Sequence, residues 1–519
     1  MSRRVALAAA MVLVAGLACA GAVVAASLAG RGAGGCPRVA APQTPGAQVL
    51  SVSATARSSA GAAPRVPGGP GVPARCDVTV VLTHPPAGDR VRIRISLPTT
   101  TWNGRFQAVG GGGFAAGNFG HALDSAVRRG YAAASTDAGV PMSRAGHPTW
   151  ALRHDRTIDT ALLDNFAYRS VHDMSRIGEQ VTTRFYGRPP TYSYFTGCST
   201  GGRQGLVEAQ RYPGDFDGIL AAAPAISWNR LNFAQLWPQV VMNETGVHPT
   251  ACELAAFNRA AVAACDGDDG LVDGVIGRPE TCRFDPGRLV GTTVHCRGAA
   301  VRISPAVADL VRRIWHGPTT RTGRSLWYGL LPGASFGWLA GTTKPLFGPR
   351  QGVPFPVAAD WVRYFVQRRP AFDPSTIGYA EFEQLLGESL TRYSDVIESD
   401  EPDLSAFRAA GGKMLTWHGL ADQVVFPQGT LQYRRRVDAA MGGTHATDQF
   451  YRVFLAPGVA HCTGGAGPAP RDPLAALVDW VEHGRAPDTL PATTTGARRP
   501  RTSHDLCRYP HTAAGGYCG

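Results

Sequence analysis

The sequence predicts an α/β protein: a mostly parallel sheet with helices on both faces, split by a large inserted domain. Three observations predict it. Strand-like and helix-like stretches alternate from about residue 89 to 226, the pattern of strands joined by crossover helices. Between residues 227 and 404 long loops, aromatic residues and four cysteines replace that alternation. It then resumes toward the C-terminus. The chain has 519 residues, 44% of them hydrophobic, so it can bury a large core, and its 63 Gly and 39 Pro exclude a helical bundle.

The elements follow in order. Residues 1–30 (MSRRVALAAAMVLVAGLACAGAVVAASLAG) read as an export leader. Two arginines precede a long apolar run of small residues, with Ala-x-Ala options at Ala18-Cys19-Ala20 and Ala20-Gly21-Ala22. The same run is long enough to span a bilayer, so a retained leader would anchor the chain to a membrane. Residues 30–74 are rich in Ala, Pro, Gly and Ser and read as loop around one strand, AQVLSVSA. The stretches CDVTVVLTH and DRVRIRISLP alternate as strands do. RFQAV is a short strand entering the glycine loop Gly110–Gly113. LDSAVRRGYAAASTDAG reads as helix, Gly, strand. LDNFAYRSVHDMSRIGEQVTTRFYG has apolar residues at helical spacing and stops at Gly187. TYSYFTG, RQGLVEAQRYP and FDGILAAAPA give strand, helix, strand. KMLTWHG and QFYRVFLA are the strands after the insertion, and DPLAALVDWVEHG is an amphipathic helix that should close the fold. The expected boundaries are 37–226 for the first part of the core, 227–404 for an inserted lid domain and 405–519 for the second part. Six of the ten tryptophans (228, 237, 315, 327, 338 and 361) fall in the insertion. They either pack its core or line an aromatic cleft.

The net charge is +12, but no Lys/Arg run exceeds three residues (Arg434–Arg436), so no nucleic-acid footprint is present. Eleven cysteines become ten once Cys19 leaves with the leader. An even number in an exported chain favours five disulfides, and the lack of any CxxC argues against zinc. Proximity in sequence suggests Cys265–Cys282 and Cys507–Cys518.

The chemistry is carried by Gly197-Cys198-Ser199-Thr200-Gly201, between a strand and a helix. A nucleophile on so tight a turn needs flanking glycines, and the helix after it presents a positive N-terminus. Asp422 follows the strand KMLTWHG and His461 follows the next strand, so Ser199, Asp422 and His461 keep the chain order of an α/β-hydrolase triad. His461 would take the serine proton, and Asp422 would orient and stabilise the imidazole. His418 precedes the acid and reads as a supporting residue. Backbone N–H groups of Thr200 and of a glycine near Gly112 would hold the oxyanion. If Ser199 meets His461, their neighbours Cys198 and Cys462 come within disulfide reach. In CDGDDGLVDGVIGRPETC, Asp266, Asp268, Asp269 and Asp273 offer hard oxygen ligands or asx turns. Gly277 at position twelve excludes an EF-hand.

With WNGRF, GYAAASTDAG, GCSTGGRQGL, DFDGILAAAPA, CDGDDGLVDGVI, HGLADQVVFP and PGVAHC in place, the chain resembles the tannase and feruloyl esterase family over nearly its whole mature length. That family, which includes a hydrolase of mono(hydroxyethyl) terephthalate, carries a Cys-Ser, Asp, His-Cys signature with the two cysteines bonded. The resemblance implies a secreted serine hydrolase of aromatic esters, plant-derived esters among them. It works through an acyl-enzyme on an α/β-hydrolase core whose lid supplies the substrate pocket. It implies structural Ca²⁺ in the lid, held by side chains of Asp266, Asp269 and Asp273 and carbonyls of Leu271 and Val275, and no organic cofactor. It also implies the pairs Cys36–Cys76 and Cys507–Cys518. Cys252 and Cys296 are then paired by elimination. Terephthalate half-esters and aliphatic or hydroxyalkanoate esters are the alternative substrates. A non-catalytic surface-binding protein is disfavoured by the intact triad.

Overall fold

The computed structural model describes residues 36–59, 71–142, 147–296, 298–494, 503–511, 513–514 and 517–518. The leader lies outside them. The centre is a nine-stranded sheet of β1 (Gln48–Arg57), β2 (Arg75–Thr83), β3 (Val91–Pro98), β4 (Arg105–Val109), β5 (Ala132–Thr136), β6 (Tyr192–Cys198), β7 (Gly218–Ala222), β8 (Lys413–Gly419) and β9 (Tyr451–Ala456), in the order β1-β2-β3-β5-β4-β6-β7-β8-β9. From β5 to β9 every neighbour is parallel. β1, β2 and β3 add antiparallel pairs at one edge. The central strands β5 and β7 are buried at every residue, AAAST and GILAA, because helices cover both faces.

Helix α1 (His121–Arg128) packs on one face. Helices α2 (Ser170–Tyr186) and α3 (Thr200–Arg211) pack on the other. A Cβ at Gly178 would stand 2.4 Å from the Phe106 ring, so glycine there lets α2 lie close against β4. The expected helix over 163–187 is interrupted by a π turn, Asn165–Arg169. The wide turn frees the Phe166 and Ala167 carbonyls, which accept from the buried Arg203 guanidinium of α3 at 3.0 and 2.8 Å.

The chain leaves the sheet after β7 and returns at β8, its neighbour. Among the described residues, no strand between Ser227 and Leu404 joins the nine-stranded sheet. That intervening chain builds α4 (Trp228–Thr245), α5 (Ala251–Cys265), α6 (Pro305–His316) and α7 (Tyr379–Ile397) around an apolar core that it shares with Phe114, Phe166 and Val424–Phe426 of the sheet domain. α4 is buried on nearly all sides along most of its length, its amides Asn229, Asn232, Gln235 and Gln239 included, so it forms the axis of this region. α5 starts with a capping box, Thr250 with Glu253. Trp228, Trp237, Trp327 and Trp361 are buried in that core; Trp338 is 58% exposed.

Past β8, α8 (Pro427–Ala440) leads to β9, and α9 (Pro473–His483) covers the α1 face. α9 does not close the fold. The chain goes on into a three-stranded antiparallel sheet of Ala469–Pro470, Thr489–Thr493 and Ser503–Cys507. Those strands are too short to stand out in sequence. All five expected disulfides are present: Cys36–Cys76, Cys198–Cys462, Cys252–Cys296, Cys265–Cys282 and Cys507–Cys518. Among the described residues no helix is long and apolar enough to cross a membrane.

Candidate active site

Ser199 stands between β6 and α3 with φ +66° and ψ −122°, a conformation L residues rarely adopt. The turn is held from several sides. Ser199 N–H donates to the Ala222 carbonyl at 3.1 Å, and its own carbonyl accepts from Arg203 and Ala225 at 3.0 and 3.1 Å. A Cβ at Gly197 would stand 2.4 Å from the Gly201 backbone, and one at Gly202 2.3 Å from the Ala222 oxygen. The two glycines therefore let strand, turn and helix pack at backbone distance.

Asp422 is fully buried after β8 and accepts four hydrogen bonds. Val424 and Val425 N–H each reach Oδ1 at 2.8 Å, and His461 Nδ1 reaches Oδ2 at 2.7 Å. His418 Nε2 lies 3.2 Å from Oδ2 and 3.0 Å from the Val425 carbonyl. Both are pure acceptors, so the His418 proton sits on Nε2, and Nδ1 accepts from Thr430 Oγ1 at 2.8 Å. Burial opposes a charge on Asp422. The adjacent His461 and the bond from His418 outweigh it and hold the carboxyl well below the usual carboxylate range. With Nδ1–H committed to Asp422, the free ring nitrogen of His461 is Nε2. The His461 backbone N–H donates to Gln423 Oε1 at 3.1 Å, a support that sequence reading passed over although Gln423 follows the acid directly.

Cys198 and Cys462 are bonded with Cα atoms 6.0 Å apart, joining the residue before Ser199 to the residue after His461. Ser199 and His461 line the same cavity; no hydrogen bond joins their side chains among the described contacts.

The glycine loop approaches the α3 N-terminus closely. Gly111 N–H donates to Gln204 Oε1 at 3.0 Å, Gln204 Nε2 donates to the Ala116 carbonyl at 2.9 Å, and Thr200 Oγ1 donates to the Gly113 carbonyl at 2.7 Å. Gln204 is the residue missed in sequence, inside a motif read only for its serine and glycines. One expectation changes here. The Gly112 N–H donates to the Ala115 carbonyl at 2.9 Å and is spent on closing the loop. Gly113 lines the cavity and makes no N–H hydrogen bond among the described contacts, as does Thr200. Thr200 and Gly113 therefore present unspent N–H groups beside Ser199.

The cavity holds about 750 Å³. Its upper wall comes from the insertion: Trp228, Leu231, Asn232 and Gln235 of α4, then Trp338, Phe355 and Val357. Asn232 Nδ2 donates to the Trp228 carbonyl at 2.9 Å and Gln235 Nε2 to the Val424 carbonyl at 2.8 Å. Each amide therefore turns its oxygen away from those carbonyls, and Asn232 Oδ1 and Gln235 Oε1 are buried without partners.

The acidic loop of the insertion lies elsewhere. Asp266 accepts from the N–H of Asp273 and Gly274, Asp269 from Leu271, and Asp273 from Val275. Burial, with Asp266 and Asp269 nearby, pushes the Asp273 carboxyl above its ordinary value. No ion pair neutralises the three among the described residues. In donor type and uncompensated charge they suit a hard divalent cation. Their carboxylates serve backbone turns, however, and no cluster of three metal-ligating side chains forms among the described residues.

With this geometry in place, comparison with known proteins decides the family. The family model described as tannase and feruloyl esterase matches residues 76–517. The chain belongs to the tannase and feruloyl esterase family. It is 45% identical to a "Probable feruloyl esterase" of Arthroderma benhamiae over 482 residues, 92% of this chain and 90% of the relative. Among solved structures, tannin acyl hydrolase from Aspergillus niger superposes with a TM-score of 0.83 at 28% identity, covering 92% of this chain and 91% of that one. Feruloyl esterase B from Aspergillus oryzae gives 0.76 at 25% identity, covering 91% and 94%. The chain is a carboxylic ester hydrolase of this family.

Proposed function

We propose that the protein is an exported serine esterase that cleaves esters of phenolic aromatic acids, of the feruloyl type, through an acyl-enzyme. The observation that carries the reading is the composition of the catalytic cavity. Ser199 and His461 share it with Trp228, Trp338 and Phe355, which suit a flat aromatic acyl group. Two orphan amide oxygens, Asn232 Oδ1 and Gln235 Oε1, and the unpaired Trp228 Nε1 lie buried just behind that largely apolar wall. A small turn of either amide would present its oxygen to the cavity, where a phenolic hydroxyl would donate to it. A terephthalate half-ester would instead bring a carboxylate, and among the described residues no Arg or Lys lines the cavity to meet it.

Ser199 Oγ attacks the ester carbonyl while its proton passes to His461 Nε2. Thr200 and Gly113 N–H groups stabilise the oxyanion. As the tetrahedral intermediate collapses, the alcohol leaves with the proton from His461. Water, deprotonated by the same nitrogen, then attacks the acyl-enzyme and frees the acid and Ser199. The leader and five disulfides support export. We also read the Asp266–Val275 loop as a structural Ca²⁺ site, in which cation binding would draw Asp266, Asp269 and Asp273 from backbone turns into coordination.

The test is a matched panel of methyl ferulate, methyl cinnamate, methyl gallate, mono(hydroxyethyl) terephthalate and p-nitrophenyl butyrate, with wild type, Ser199→Ala, Asn232→Leu and Gln235→Leu. Ser199-dependent preference for ferulate over cinnamate is expected. The leucine variants should reduce it about tenfold, the scale of one lost buried hydrogen bond. Cleavage of only the butyrate, or equal rates on ferulate and cinnamate, overturns the phenolic reading.

A further inference from the structure

A hairpin of the insertion rises from the wall of the catalytic cavity. Its strands, Gly341–Thr343 and Gln351–Val353, pair antiparallel between Trp338 and Phe355, which both line that cavity. The base is fixed. Gln239 Nε2 of α4 reaches the carbonyls of Leu339, Gly341 and Val353 at 3.0, 3.1 and 3.1 Å. A Cβ at Gly352 would stand 2.0 Å from Gln239 Oε1, so glycine there seats the hairpin directly on α4. Thr342 Oγ1 donates to the Pro249 carbonyl at 2.7 Å. The tip, Lys344-Pro345-Leu346-Phe347-Gly348-Pro349-Arg350, carries apolar side chains into solvent: Leu346 is 90% exposed and Phe347 87%. Single apolar surface residues are ordinary; an adjacent leucine and phenylalanine with almost no protein around them, on one anchored tip, are not. Pro345 and Pro349 restrict the backbone on either side, so little chain entropy is lost when the pair is buried against something else.

Charge decides what the tip meets. Lys344 and Arg350 flank the apolar pair. Arg350 donates to Thr342 Oγ1 at 3.4 Å, and neither cation meets a carboxylate among the described residues. No acidic residue occurs between Asp309 and Asp360, so the flanking sequence does nothing to neutralise them. A second copy of the chain would set like charges against each other. A neutral polymer would take the apolar pair and leave the cations without a partner. We propose that this hairpin docks the enzyme on an anionic lipid surface, with Leu346 and Phe347 entering between the headgroups and Lys344 and Arg350 pairing with their phosphates. The hairpin is continuous with the cavity wall, so docking brings the catalytic cavity to that surface. The inference stands apart from which ester is cleaved.

The experiment is co-sedimentation of the exported protein with vesicles of phosphatidylcholine alone, and of phosphatidylcholine with an equal part of phosphatidylglycerol, at low and high salt. Wild type should bind the anionic vesicles about tenfold or more tightly than the neutral ones, and high salt should remove most of the difference. Leu346→Ser/Phe347→Ser and Lys344→Gln/Arg350→Gln should each weaken binding to the anionic vesicles about tenfold or more. These positions lie outside the lining of the catalytic cavity, so both double variants should keep wild-type turnover of p-nitrophenyl butyrate in solution, which also reports that they fold. A retained leader would contribute alike to every variant. Equal binding of wild type to the two vesicles, or binding that either folded double variant leaves unchanged, overturns the proposal. The wild-type comparison and its salt dependence decide it even where a variant does not fold. Sedimentation equilibrium that shows a dimer dissolved by Leu346→Ser/Phe347→Ser, with no vesicle binding by wild type, also overturns it and gives the tip to a second copy.

Discussion

Replacing Cys198 and Cys462 together by alanine should leave a folded protein that binds substrate but turns it over poorly. The bond closes a loop of 264 residues in sequence separation. In the chain-entropy description that is worth roughly 5–6 kcal/mol, and the nested Cys252–Cys296 bridge, 44 residues apart, shortens the loop enough to change this by only ~0.2 kcal/mol. Cys36–Cys76, 40 residues apart and remote from the cavity, is worth roughly 4 kcal/mol on the same scale. The two bridges therefore differ by about 1–2 kcal/mol in stability on this scale and greatly in position. Ser199 at φ +66° and Cys462 at φ +60° both have positive φ, and the bridge holds Cys198, next to Ser199, with its Cα 6.0 Å from that of Cys462. Releasing it lets the serine and imidazole drift, and a misplacement of about 1 Å costs on the order of a hundredfold in rate. The assay is steady-state hydrolysis of methyl ferulate beside thermal unfolding, with Cys36→Ala/Cys76→Ala as control. Both doubles should melt earlier. Only the Cys198/Cys462 double should lose about 100-fold in kcat, with KM within ~3-fold. Full turnover in that double, or an equal kcat loss in the control, would refute the clamp.

Asp422→Asn should lower kcat about 10⁴-fold with little change in KM, because an amide cannot stabilise the imidazolium and favours the wrong tautomer; a loss under tenfold would remove Asp422 from the mechanism. His84 should make stability pH-dependent. Burial disfavours its charge, but bonds to Asp173 at 2.9 Å and Asp89 at 2.7 Å prevail and raise its pKa to about 9. A raised folded pKa gives stability that is complete below the unfolded value of about 6.5 and is lost as pH rises through 9, ~3 kcal/mol in all. The melting-temperature gap between wild type and His84→Gln should therefore narrow between pH 6 and 10, and a constant gap would contradict the ion pair. EDTA and Asp269→Ala should each lower the melting temperature by several degrees while leaving the Ser199 labelling rate with a fluorophosphonate near wild type; no shift with either would reduce the acidic loop to backbone turns.

The parallel core and the positions of Ser199, Asp422 and His461 are legible in sequence for one physical reason. Strands buried on both faces must be continuous apolar runs, and a residue at the end of such a run is placed by the sheet itself. Distance along the chain then stops mattering, and 264 residues between Cys198 and Cys462 become 6.0 Å. The parts that could not be read are those whose meaning comes from partners elsewhere. Gly112 and Gly113 are indistinguishable as letters; only the bond from Gly112 to Ala115, and the lock from Thr200 to Gly113, separates a spent N–H from a free one. Gln204, Gln423, Asn232 and Gln235 are amides on helices and loops, and nothing in their spacing shows which oxygen is satisfied. Trp228 and Trp338 show the same limit from the apolar side. Both are tryptophans of the insertion, yet one is buried against Arg203 and the other stands in solvent at the catalytic cavity. Apolar periodicity determines where a sheet lies, while specificity depends on single unpaired atoms. In this protein those atoms are gathered where the insertion meets the ends of β6, β8 and β9.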